Sequence, residues 1–132
     1  MFDVYIIIFA SEFKSQLDSN LLSNYKKIIF SDYKLCNNLF DAYLNNKFNN
    51  LKYNNSKFNL PVNLLPPTPT HLTFGCNFNQ QCNLSSNVKY LKLSSDNNYL
   101  INNLPNGVEE LILGEYFNSE LNNLPNRVKK II

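Results

Sequence analysis

The chain holds one histidine, three glycines, one arginine and three cysteines in 132 residues. Each shortage removes a class of chemistry. His71 has no recurrent Ser-His-Asp or Cys-His arrangement around it, so nucleophilic catalysis has no visible constellation. It reads as a solvent-facing structural residue on a strand. Gly75, Gly107 and Gly114 do not cluster, which leaves no phosphate-cradling loop. Cys36, Cys76 and Cys82 are odd in number and form no C-x-x-C pair, which points to a reducing, intracellular and cytoplasmic setting. Cys76 and Cys82 with one histidine fall short of the four ligands in paired spacing that structural zinc takes. No metal and no cofactor are expected. The acids Asp96, Glu109, Glu110, Glu115 and Glu120 are dispersed, so paired-carboxylate catalysis has no support. The apolar run Val4–Ala10 is far shorter than the roughly 20 residues that cross a bilayer, and no basic segment precedes it as in a signal peptide. A net charge of +2 with scattered lysines leaves no footprint for nucleic acid.

Asparagine is abundant, with 25 copies. Asn, Lys, Ile, Tyr and Phe share AT-rich codons, so part of this bias is genomic. The asparagines alternate regularly with Leu, Phe and Tyr, which disfavours a prion-like tract. From Phe58 onward a unit of about 20 residues recurs, a period that marks repeat architectures. Its clearest copies read LSSNVKYLKLS (Leu84–Ser94), LPNGVEELILG (Leu104–Gly114) and LPNRVKKII (Leu124–Ile132). In register, Leu65, Leu84, Leu104 and Leu124 open the units. Pro69, Val88, Val108 and Val128 follow, then Leu72, Leu91, Leu111 and Ile131, then Phe74, Leu93 and Leu113. A turn residue comes next, at Gly75, Ser94 and Gly114. The L-x-L spacing is that of a strand with one buried face. Stacked copies predict a parallel sheet with one short strand per unit, centred on Leu72–Phe74, Leu91–Leu93 and Leu111–Leu113, with a weaker strand at Leu51–Tyr53. The fold class is therefore a repeat solenoid, leucine-rich-repeat-like, over residues 51–132.

The return half of the unit repeats too. Phe58, Phe78 and Phe117 share a column that holds Asn97 in the third copy. The next column is Asn59, Asn79, Asn98 and Asn118. A short amide carries donor and acceptor, so these four are expected to form an inward ladder that pairs the backbone of the turns. Val62, Cys82, Ile101 and Leu121 form a third column, in which Cys82 reads as core.

Strand alternation places His71, Thr73, Tyr90, Lys92, Glu110, Ile112, Lys130 and Ile132 on the outward face. These positions differ from copy to copy while the inward ones repeat. That variety fits either a loosely constrained solvated face or a recognition surface.

The columns resemble the FNIP repeat, a relative of the leucine-rich repeat with a form close to LP-x-x-V-x-x-L-x-F-G-x-x-FNQPI. Phe58–Val62, Phe78–Cys82 and Phe117–Leu121 stand at its FNQPI position, and Leu72–Gly75 and Leu111–Gly114 at its strand and turn. Gln81 and Glu120 replace the proline of that pattern. The resemblance implies a social-amoeba or giant-virus setting, hence host cytoplasm if viral. It also implies a non-catalytic protein-interaction module, and in its specific form a substrate receptor for a ubiquitin ligase, docked through an N-terminal F-box.

Residues 1–50 would hold that degenerate F-box-like segment or a helical cap closing the repeats, since terminal units need capping. The usual F-box opening, Leu-Pro-x-Glu, is missing. Ser31 or Asp32 would cap a helix reaching Asn46, with Leu35, Phe40, Leu39, Tyr43 and Leu44 on its apolar stripe. Leu17, Leu21 and Leu22 suggest an earlier helix. The last unit, truncated at Ile132, is expected to leave Leu111, Leu113 and Leu121 poorly covered on one side, prone to fraying or self-association. A degenerate paralogue without its own function, or a small enzyme on the same scaffold, are the alternatives.

Overall fold

A computed structural model describes residues 5–62, 65–94, 97–114, 117, 121, 124–128 and 130–131. Six strands form one open parallel sheet whose order follows the chain. They are β1 (Ile6–Phe9), β2 (Lys27–Phe30), β3 (His71–Phe74), β4 (Tyr90–Leu93), β5 (Glu110–Leu113) and β6 (Lys130–Ile131). Short helices α1 (Ser19–Leu22), α2 (Leu39–Asn45) and α3 (Asn98–Ile101) lie between strands. The expected parallel pairing of β3, β4 and β5 is present, with Leu72 opposite Leu91 and Leu91 opposite Leu111.

Alternation within each strand sorts the sheet into rows. Ile7, Ile28, Leu72, Leu91 and Leu111 align in one inward row, and Phe9, Phe30, Phe74, Leu93 and Leu113 in the other. The return legs pair as well: Val62 bridges Cys82 in parallel, and the Val62 N–H donates to Gln81 O at 2.9 Å. Behind the sheet, phenylalanines stack from unit to unit. Phe9 and Phe30 lie 5.1 Å apart, Phe30 and Phe58 4.4 Å, Phe58 and Phe78 5.7 Å, and Phe74 and Phe78 4.2 Å. Each fully buried ring contributes roughly 1.5–3 kcal/mol of transfer free energy.

Three expectations are corrected. Residues 5–50 are not a purely helical region: besides the short α1 and α2 they hold β1 and β2, which extend the sheet, because Ile6–Ile8 and Ile28–Ile29 are β-branched runs that suit strands. Phe13 and Leu17 fall in the Phe and Val62 columns, and Phe13 stacks on Phe58 at 5.8 Å. The helix expected from Ser31 or Asp32 shrinks to Leu39–Asn45, stopped at Asn46 in the left-handed conformation, with Leu35, Phe40 and Leu44 exposed. Leu51–Tyr53 is no parallel strand, since Tyr53 makes an isolated antiparallel bridge to Tyr33.

The far end differs from expectation as well. Leu111 is fully buried, and the backbone of β6 pairs onto β5 beside it. Leu113 and Leu121 are partly buried against the core.

Candidate functional site

The outward residues also align in two rows. Ile6, Lys27, His71, Tyr90, Glu110 and Lys130 make the first, and Ile8, Ile29, Thr73, Lys92 and Ile112 the second. The backbone register thus brings six of the eight expected surface residues to one face. His71, Thr73, Tyr90, Lys92, Glu110 and Ile112 are half-buried there. The side chain of Lys130, and Ile132, lie outside the described residues.

One wall rises over this face. Between β2 and β3 the chain leaves the sheet at about Tyr33 and returns at about Tyr53, carrying α2. Its stem is closed by the Lys34 N–H donating to Lys52 O at 3.0 Å and the Asn54 N–H donating to Asp32 O at 2.8 Å. Rings fix its inside: Tyr33 and Tyr43 each lie 4.8 Å from Phe48, and Tyr33 and Tyr53 meet edge-on at 5.5 Å. The Tyr43 hydroxyl donates to Ser31 Oγ at 2.7 Å, and burial pushes its pKa up to about 12. The excursion covers Ile29, which is only 3% exposed although it points outward.

Asp32 clasps the excursion to the turn after β3. Its Oδ1 accepts the backbone N–H groups of Ser56 at 2.7 Å and Cys76 at 3.0 Å, and its Oδ2 accepts the Cys76 thiol at 3.2 Å. The Tyr53 hydroxyl lies 3.0 Å from Cys76 Sγ. Gly75 is required at this clasp, since a Cβ there would strike Ser56 Cβ and approach Asp32 Oδ1 to 2.8 Å. Among the described residues, no group of three His, Cys, Asp or Glu could hold a metal ion. Cys82 is buried, and that burial pushes its thiol up to about 12.

Between wall and sheet lie two adjoining cavities of about 310 and 190 Å³. Tyr43, Phe48, Thr73 and Lys92 line both, so the two form one open groove. Asp32, Cys76, Ser94 and Gly114 lie at one end, and Lys27, Ile29 and Tyr90 at the other. His71, Glu110 and Ile112 share the face but not the groove walls. His71 stacks on Tyr90 at 5.2 Å, and its Nδ1 is 2.9 Å from Thr70 Oγ1. Burial, then Lys27, pull its pKa down while Glu110 pulls it up; Tyr90 is raised by burial and by Glu110.

Sequence reasoning missed Tyr43, Phe48, Tyr53, Asp32 and Lys27. The available signal was the density of aromatics at 33, 43, 48 and 53 in the segment where the period fails. The inward asparagine ladder is also corrected. Asn59 Oδ1 accepts the Asn79 N–H at 2.9 Å across units, but Asn79 is exposed, because its column sits one position past the inward phenylalanine. The side chain of Asn98, and Asn118, lie outside the described residues. The inward amide is Asn97, 1% exposed in the phenylalanine column. Its Nδ2 donates to Gln80 O at 3.1 Å and its Oδ1 accepts the Leu100 N–H at 3.2 Å, so it caps α3 and ties two units at once.

The FNIP Repeat family model matches residues 78–114 and 97–132. Residues 78–132 are FNIP repeats. The two matches overlap, as expected of a tandem unit, and they span β4, β5 and β6. The FNIP repeat supplies half of the sheet and the outward residues Tyr90, Lys92, Glu110 and Ile112, whereas the excursion and its clasp lie outside the matched span. No curated protein and no solved structure matches the chain. Among the described residues, no helix is long and apolar enough to cross a membrane.

Proposed function

We propose that this chain is a non-catalytic protein-interaction module that winds as a repeat solenoid and binds a protein partner on its outward sheet face. The observation that carries this is the contrast between rows. The inward rows are Ile, Leu and Phe throughout, while the first outward row runs Ile, Lys, His, Tyr and Glu and the second Ile, Ile, Thr, Lys and Ile. A repeat that keeps its core and varies its face is built to present that face. Cys76 donates to Asp32 and His71 is engaged by Thr70 and Tyr90, which favours binding over catalysis. The three cysteines are unbridged, in keeping with an intracellular site of action.

The test is photo-crosslinking in cells. A crosslinking amino acid at Ile112 on the face is compared with one at exposed Asn102 on the return side. Discrete protein adducts from position 112 and none from 102 are expected. Equal patterns from both sites, or no adduct from either, overturn the reading; the latter fits a paralogue without its own function. Ubiquitin-ligase subunits among the adducts would assign the finer role of substrate receptor.

A further inference from the structure

We propose that the groove between the excursion and β3–β4 binds an extended acidic peptide segment of the partner, with a carboxylate on Lys92 and an apolar side chain two residues away against Tyr43 and Phe48. This rests on the interaction-module reading and names what the face recognises. The groove follows the strand direction, from the starts of β2 and β4 at Lys27 and Tyr90 to the turns at Cys76 and Ser94. A four-residue strand spans ~13 Å, so the trough accepts about four extended residues. Its two lobes are small and open, a shape for a chain passing through rather than an enclosed small molecule.

Charge selects the peptide. Lys92 lines both lobes and Lys27 one, and among the described residues neither makes an ion pair. Among the described wall residues the acid is Asp32, and it is committed: both its oxygens already accept hydrogen bonds from Ser56 and Cys76. Glu110 stands in the His71 and Tyr90 row and is not a wall residue. The described walls therefore offer uncommitted cations and one satisfied carboxylate, which is complementary to an incoming carboxylate. The apolar side is preformed. Phe48 is held between Tyr33 and Tyr43, so little ordering entropy is lost when a side chain packs on it. Side chains of an extended peptide alternate, so the acid and its apolar companion fall on one side when separated by one residue.

A random decapeptide library displayed on phage and selected on the full chain tests this, with parallel selections on Lys92→Glu and Lys92→Gln. Thermal melts check that each variant keeps its fold; Lys92 is half-exposed. The wild-type selection is expected to enrich Asp or Glu two positions from Leu, Ile or Phe, with binding at least tenfold weaker in 0.5 M salt. Lys92→Gln should lose the acidic preference, and Lys92→Glu should switch it to Lys or Arg. A merely structural lysine would give no such reciprocal switch. Selected peptides without an acidic preference, a preference unmoved by Lys92→Glu, or no binders at all would overturn the proposal. If partner adducts persist at Ile112 while the library yields no acidic motif, the groove proposal fails and the module reading stands. If both fail, the module reading fails with it.

Discussion

The two halves of the sheet reach one register by different means. From β3 onward, His71, Tyr90, Glu110 and Lys130 step by 19, 20 and 20 residues. Before β3, Ile6, Lys27 and His71 step by 21 and then 44. The regular half packs on leucines, with Leu91, Leu93 and Leu111 fully or almost fully buried. The irregular half packs on stacked rings, with Phe30 and Phe58 buried and Phe9 and Phe13 stacked on them. Unit length therefore does not set the register; the inward rows do. A large flat ring bridges neighbouring units without a constant return path, and that frees the intervening chain to leave the sheet and build a wall.

The largest effect should come from breaking the ring stack. Phe58 contacts Phe13, Phe30 and Phe78, so Phe58→Ala should cost about 3–5 kcal/mol. Urea unfolding of the variant measures it. A loss near that of an exposed substitution would mean that the aromatic half is held by something other than its rings.

A middle-sized effect tests where polar ties matter. Asn97→Leu should cost about 1–3 kcal/mol, because the cap on Leu100 and the tie to Gln80 go together. Asn59→Ala should cost less, about 0.5–1.5 kcal/mol, and Asn79→Ala almost nothing, since Asn79 contributes only its backbone N–H to that bond. Matched denaturant midpoints for the three variants would check the order; Asn79→Ala as the worst of them would restore an inward ladder.

The smallest effect is at the seam of the halves. Burial and Lys27 lower the His71 pKa in the folded state, so the unfolded chain binds the proton more readily. Stability is then greatest above the unfolded histidine pKa of about 6.5 and declines as pH falls through it toward the lowered folded value. His71→Gln should flatten that part of the profile. Thermal melts between pH 7.5 and 5 will show it, and an unchanged slope would mean that other groups set the acid limb.

The regular half was legible from sequence because its two periods, the L-x-L strand and the 20-residue unit, reinforce each other at Leu72, Leu91 and Leu111. The irregular half was not. Ile6–Phe9 and Ile28–Phe30 are continuous apolar runs with no alternation to mark a face. The extra chain before Phe58 also hid that Phe13 and Leu17 start the same columns. The candidate face followed from alternation alone, so its sheet residues were readable. The opposing wall was not, because Tyr43 and Phe48 come to Lys92 through tertiary packing of a segment without period. The asparagine column was read as inward, but at Asn79 it faces water, one position past the inward phenylalanine, and an Asn gives no sign in the sequence of which side it takes.

The excursion has a consequence for how such a chain changes over generations. Closing a unit of 44 residues rather than 20 costs only about 0.7 kcal/mol more in loop entropy, less than one buried methylene contributes. Residues 33–53 are thus a cassette. Changes there that keep a cover over Ile29 preserve the strand register, while each rewrites one bank of the trough. Evolvability is concentrated in a single segment of the chain, and a library randomised in that segment alone would explore new specificities on an unaltered chassis.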